Sequence, residues 1–351
     1  MIERLRSNYV EVLQQETEVA QLDPLNLDLF FKAKFVDANT RKDTVLLSQQ
    51  ATQSSEVTLN AEGLTVNQAR ACMRDLGFLG AALVTHGIGL EETPGLKEAL
   101  NKLSGITQEV PRDTVYSYSL RNPEGERMRT FTGTDEERLF IMATKRGVVS
   151  TTEVAYVLQD LAMEASESVS TSRRINQCAQ AFEGMVNAMA EVRRAISPEF
   201  FTNILRPYFP PMEIDGVTYF GPGGAQMPLV LIDLALWGSD IQERNYLLYL
   251  QDNLRYLPPE LRQLALDING QSLVTRVENG QLSTEFAKEL YSLTNLLLRF
   301  RNPHYKTAVE NMQVRPEGAK GSGGYDTQVL DLLMAKTYES KERLSAVLDR
   351  S

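Results

Sequence analysis

Residues 151–196 contain neither proline nor glycine until Gly184. A stretch of that length reads as helix, because strands run to only about 4–8 residues. It therefore commits this part of the chain to long helices packed on one another. The helical text begins at about Thr134. Asp135-Glu136-Glu137 place acids at the positive end of a helix dipole, and Leu139, Ile141 and Met142 start an apolar face. Ser197-Pro198-Glu199 opens another helix, with Ser197 as its cap and Pro198 in its first turn. Met227–Trp237 is almost wholly apolar and should be buried on all sides, with Gly238 ending it. Further helices are expected at about 241–256, 258–268 and 284–300, then a Gly-rich loop and a last helix over Thr327–Leu348.

The first 130 or so residues are mixed. A turn-rich entry (LDPLNLD) leads into polar text around residues 40–60, rich in Thr, Ser and Gln. Residues 65–86 read as an amphipathic helix, with Ala69, Cys72, Met73, Leu76, Leu79 and Leu83 at mostly helical spacing. Thr93-Pro94-Gly95 punctuates before a short helix, Leu96–Leu103. Val115–Leu120 alternates weakly and Asn122-Pro123-Glu124-Gly125 signals a turn, so a small strand pair is expected there. The fold class is mainly α: a large all-helical lobe (residues 131–351) preceded by a smaller mixed α(+β) lobe (residues 1–130). A length of 351 residues fits two such units.

Charge and residue counts narrow the chemistry. With 36 basic and 46 acidic residues the formal net charge is −10, which argues against nucleic acid as a partner. No run of about 18 apolar residues suggests a membrane span, and MIERLRSNYV lacks the apolar core of a signal peptide. Two cysteines, Cys72 and Cys178, cannot form a zinc cluster or a disulfide framework, and a cytoplasmic protein is expected. The only histidines are His86 and His304, so zinc sites built from several His or Cys are nearly excluded. Haem survives that count because it needs a single protein ligand.

Four stretches could carry chemistry. Leu298-Arg299-Phe300-Arg301-Asn302-Pro303-His304 ends an apolar helix on an imidazole, which reads either as a hydrogen-bonded structural residue or as an axial iron ligand. Lys320-Gly321-Ser322-Gly323-Gly324-Tyr325-Asp326 allows close backbone approach to a ligand, or is a plain surface loop. It lacks the Gly-Lys-Ser/Thr ending of a phosphate loop. Phe200-Phe201 with Arg206 could line a pocket and clamp a carboxylate, or belong to a core helix with a surface arginine. Gly221-Pro222-Gly223-Gly224, opening the buried helix, would admit a flat cofactor or a neighbouring helix.

Taken in order, these stretches resemble the indoleamine 2,3-dioxygenase superfamily of haem proteins, and within it the monodechloroaminopyrrolnitrin synthase branch. Met73-Arg74-Asp75-Leu76-Gly77-Phe78, His86-Gly87, Phe220-Gly221-Pro222-Gly223, Leu236-Trp237-Gly238-Ser239 and Gly321-Ser322-Gly323-Gly324-Tyr325 share in that likeness, which spans about residues 65–350. The resemblance implies a haem-dependent oxygenase or rearranging enzyme acting on tryptophan or a related aromatic amino acid in secondary metabolism, using haem b (iron protoporphyrin IX) and dioxygen or a peroxide. A haem-binding protein without catalysis and a ring-opening indole dioxygenase are the alternatives.

Residue by residue, the resemblance implies that His304 is the proximal iron ligand and that Asp233 supports it. Ser322 would meet the substrate amine, Phe201 would pack its indole and Arg206 would bind its carboxylate. Gly323 and Gly324 belong to the loop over the cofactor, and a distal helix near Phe140–Thr144 would present Phe140, Met142, Ala143 and Thr144. Met312 stands where the branch carries a tyrosine, a departure that puts chlorotryptophan in question as the substrate. His86 matches a small-lobe position. The apolar faces of the large lobe leave room for a homodimer.

Overall fold

A computed structural model describes residues 2–164, 167–168, 170–268, 270–313 and 327–350. The helices that organise it are α1 (Ile2–Gln21), α2 (Thr44–Asn60), α3 (Val66–Thr85), α4 (Leu96–Thr107), α5 (Asp135–Met163) and α6 (Thr171–Ala195). They continue as α7 (Leu229–Leu236), α8 (Arg244–Leu254), α9 (Pro259–Asp267), α10 (Leu273–Glu278), α11 (Thr284–Gln313) and α12 (Thr327–Leu348). Helices α5 and α6 pack along each other, and α11 packs against both α6 and α12. The mainly α fold is as expected.

Local chemistry sets the helix starts. Thr134 caps α5 by accepting from the Glu137 amide, and Ser197 accepts from the Phe200 amide at 3.1 Å. Thr65 and Gln68 form a reciprocal capping box at the start of α3. The stretch read as one long helix over 151–196 is instead divided: α5 ends at Met163 and α6 begins at Thr171. Gly184 sits in the middle of α6 because α5 crosses there. A β-carbon at Gly184 would meet the Ser150 hydroxyl at 2.2 Å.

The expected strand pair at Val115–Leu120 is not there. Tyr116–Leu120 forms a π-helical turn, with the Arg121 amide donating to the Tyr116 carbonyl at 2.8 Å. All five of its residues are buried, so the alternation of Tyr and Ser does not divide core from solvent. The sheet found among the described residues lies in the later part of the chain, correcting the mixed reading of the first lobe. β1 (Met212–Ile214) pairs antiparallel with β2 (Val217–Tyr219), placing Met212 opposite Tyr219 and Ile214 opposite Val217. Asp215 and Gly216 turn the hairpin with φ of 52° and 75°, the Asp-Gly signature of a two-residue turn. The polar text at 40–60 is largely α2, capped by Asp43 and buried through Leu47, Ala51, Ser54, Ser55 and Thr58.

Two apolar cores result. One gathers α3, α4 and the aromatic cluster of Phe31, Phe35, Phe78 and Phe131, and also takes Leu205, Phe209, Met212 and Ile214. The other is built from α5, α6, α7, α11 and α12, and draws in Val115, Tyr116 and Leu120.

Helix α3 was expected to be amphipathic, but from Ala69 to Leu83 every residue is buried. Its charged residues face partners inside. Arg74 and Arg129 both donate to Asp75, while Arg70 and Arg121 share Glu109. Arg121 also binds Glu16 of α1, and Arg70 reaches Glu260 of α9 at 2.9 Å. These buried ions hold α1, α3 and α9 in one register, since any ion left alone there would be costly.

Candidate active site

A cavity of about 300 Å³ lies inside the second core, walled by α5, α6, α11, α12 and the Gly-rich turn before α7. That volume is at the small end of the range typical of ligand pockets. Helix α6 gives it an apolar stripe of Met185, Ala188, Met189 and Val192, and α12 gives it Val329, Leu330, Leu333 and Met334. Two π-helical turns supply further wall residues, Tyr118 from Tyr116–Leu120 and Phe201 from Phe201–Leu205. Such turns shift side chains out of α-helical phase and recur at functional sites.

His304 opens into this cavity from α11. Helix α11 was expected to end near residue 300; it runs on to Gln313 with Pro303 inside it, which puts His304 well within a helix. The ring stacks on Phe300 one turn back, with centroids 5.4 Å apart and planes 21° from parallel. Among the described residues neither ring nitrogen has a hydrogen-bond partner. Burial and the neighbouring Arg301 guanidinium push the imidazole down to about pKa 4, so it is neutral with a lone pair to offer. A glycine bounds the space beside the ring: a β-carbon at Gly224 would lie 3.8 Å from His304 Nε2.

The cavity also holds Phe140, Ala143 and Thr144 of α5, and Phe140 meets Phe201 with ring centroids 5.4 Å apart. The fold thus brings His304, Phe201, Phe140 and Ala143 to one space. Met142 packs into the other core instead. Arg206 is half-buried just beyond the Phe201 turn and is not on the cavity wall. Asp233 does not bond His304: its Oδ2 takes Arg301 Nη2 at 2.5 Å. Arg301 also donates to Thr337 and to the Leu333 carbonyl, so this pair fastens α7, α11 and α12 behind the imidazole. Burial raises the Asp233 carboxyl pKa despite that guanidinium.

Ser322, Gly323, Gly324 and Tyr325 lie outside the described residues, as does the side chain of Met312. His86 is away from the cavity. Its Nε2 lies 3.0 Å from Asn39 Oδ1, and Asn39 Nδ2 donates in turn to the Phe131 carbonyl, which makes Nε2 the donor to Asn39.

Arg193 and Asn311 were not anticipated as wall residues. The spacing of Met185, Met189, Val192 and Arg193 along one helix was legible, but which face turns inward depends on how α6 meets α11.

An apolar, aromatic-walled cavity presenting one neutral imidazole beside a glycine suits a flat apolar group with one open coordination position. The family model of monodechloroaminopyrrolnitrin synthase PrnB matches residues 26–345. The chain belongs to the PrnB family. That family lies within the indoleamine 2,3-dioxygenase-like superfamily of haem proteins, and PrnB enzymes are haem-dependent oxygenases of tryptophan-derived secondary metabolism. As a PrnB-family member, the chain is a haem-dependent oxidative enzyme. Among the described residues no helix is long and apolar enough to cross a membrane.

Proposed function

We propose that this chain binds iron protoporphyrin IX through His304 and oxidises tryptophan or a closely related aromatic amino acid. The observation that carries the reading is the His304 ring, neutral and without a hydrogen-bond partner among the described residues, opening into an apolar cavity beside Gly224. Most histidines in protein interiors are held by a partner, and one left unpartnered is available for a metal. Non-covalent haem b is favoured over thioether-linked haem because Cys72 and Cys178 are both buried elsewhere and neither lines the cavity.

Haem, when bound, supplies the redox chemistry that activates dioxygen or a peroxide. The protein supplies orientation. The stack on Phe300 fixes the plane of the His304 ring, and the Asp233–Arg301 pair braces the helix behind it. Phe140 and Phe201 offer ring faces for an indole, and Tyr118 closes the same wall. Arg206 is proposed to take the substrate carboxylate, which requires its side chain to rotate toward the cavity. Ser322 is proposed to meet the amine, and Gly323 and Gly324 to let the backbone approach. The methionine and aliphatic walls exclude water from the reacting atoms.

The test is an absorption spectrum of hemin-reconstituted protein with and without L-tryptophan, followed by mass analysis of any product. A protein-bound Soret band that shifts on adding tryptophan supports the reading. Protein that stays colourless with hemin overturns it. A product heavier by two oxygen atoms with nothing lost marks ring opening; any other mass change marks a rearranging or hydroxylating activity.

A further inference from the structure

Proline at position 303 removes one backbone donor from the middle of α11, so the Arg299 carbonyl loses its partner four residues on. The turn that carries His304 therefore lacks a rung of its own ladder. A replacement tie comes from outside the helix. Arg193, near the end of α6, donates from Nη1 to the Pro303 carbonyl at 2.9 Å and to Thr307 Oγ1 at 2.6 Å. Thr307 Oγ1 in turn donates to the same carbonyl at 2.9 Å. Arg193 Nη2 lies 3.6 Å from Glu310, one turn further along α11.

One guanidinium nitrogen thus spans the turn from Pro303 to Thr307, with His304 inside the span. Arg193 and His304 both line the cavity, and the α6 face carrying Arg193 also supplies Met185, Met189 and Val192 to the wall. A charged donor at a cavity wall that is otherwise mostly apolar calls for a role, and its two hydrogen bonds both act on the His304 turn. Hydrogen bonds from a charged donor are about twice as strong as neutral ones.

We propose that Arg193 is a positioning residue for His304: by clamping the Pro303 carbonyl and Thr307 to α6, it fixes the height and direction at which the imidazole enters the cavity. This inference rests on the reading of His304 as the iron ligand. It adds that the ligand's geometry is set from a second helix, at the point where proline weakens the first. Lysine also carries several donors on one nitrogen, but at the end of a shorter, more flexible stem and without the fixed plane of a guanidinium, so it would hold the two acceptors less rigidly.

The experiment compares wild-type, Arg193→Ala and Arg193→Lys proteins reconstituted with hemin. Three readouts are taken: the iron–imidazole stretching band of the reduced protein by resonance Raman, the rate of hemin transfer to apomyoglobin, and kcat against KM for L-tryptophan. Arg193→Ala should shift and broaden the band, speed hemin loss by roughly 10–100-fold, the usual effect of removing an outer support of a metal ligand, and lower kcat more than it raises KM. Arg193→Lys should fall between the two. If Arg193→Ala fails to fold, the lysine variant alone carries the comparison, and a wild-type band in it overturns the proposal. An unchanged band and unchanged hemin loss in a folded Arg193→Ala protein overturn this inference and leave His304 standing. A wild-type spectrum with no iron–imidazole band overturns the His304 reading and this inference together.

Discussion

A β-carbon built on Gly224 would sit 3.8 Å from His304 Nε2, so the turn that opens α7 bounds the space directly beside the imidazole. An alanine there would make only ordinary contact. A valine would push methyl groups into the space the imidazole faces. Gly224→Val should therefore leave the apoprotein folded, with an unfolding free energy within about 1 kcal/mol of wild type. Hemin affinity should fall at least tenfold, about 1.4 kcal/mol. Hemin titration beside urea unfolding of the apoprotein checks both halves, and undiminished affinity would show that the cofactor does not use this side of the ring.

Asp233 and Arg301 should behave as one unit. Asp233→Ala leaves a buried guanidinium without its counter-charge, where the Asp233 side chain is only 1% exposed. The expected cost is about 3–5 kcal/mol in urea unfolding. Because the pair fastens α7, α11 and α12, the variant should also broaden the haem spectrum. A cost below 1 kcal/mol would mean that the pair does not brace the site.

Acid should act through the ions of the first core. Burial alone would raise the Asp75 carboxyl, but Arg74 and Arg129 outweigh it and hold it below its ordinary 3.8. Arg121 and Arg70 likewise hold Glu109 below 4.5. A carboxyl lowered in the folded state adds stability that is present above its ordinary value and is lost as pH falls through its folded value. Asp75→Asn should therefore cost about 3–5 kcal/mol near neutral pH, and its gap from wild type should narrow below about pH 4. The raised carboxyls Asp113, Glu137 and Asp233 act in the opposite direction but are common to both proteins, so the difference isolates Asp75. A gap that stays constant from neutral to acid pH would refute this.

Phe201 lines the cavity and packs on Phe140. Phe201→Ala should weaken the tryptophan-induced spectral change by about tenfold, since an aromatic contact beyond simple burial contributes about 0.5–1.5 kcal/mol and the lost ring area adds to it. Stability should drop less, because the side chain is only half-buried. Spectral titration with L-tryptophan decides it, and unchanged affinity would remove Phe201 from the substrate wall.

Much of this fold was legible because helix signals are local. The helix start at about Thr134, the Ser197 cap, the apolar run that became α7 and the last helix at Thr327–Leu348 all follow from neighbouring residues. What was not legible depends on distant partners. Nothing near Arg70, Arg74 or Asp75 in sequence says that Glu260, Glu109 and Arg129 will meet them, so α3 reads as half-exposed when it is buried from Ala69 to Leu83. The Tyr-Ser alternation at 115–120 imitates a strand because a π-turn buried on every side leaves no polar face to read. The hairpin was overlooked although Asp215-Gly216 carried its signal.

The same division holds for the site. His304, Phe201, Phe140 and Ala143 were named from sequence resemblance, and they meet at one cavity. Asp233 was placed against the imidazole, whereas its partner is Arg301 three residues earlier on α11. Arg193 was missed because its importance comes from Pro303 and Thr307, more than 100 residues along the chain.

The most direct test replaces His304 with glycine and restores an imidazole from solution. Hemin-reconstituted His304→Gly protein should lose the wild-type Soret band and iron–imidazole signature, and millimolar free imidazole should bring both back in the folded variant. A His304→Gly protein that keeps the wild-type spectrum without added imidazole would contradict the account, because the iron would then be held by another residue.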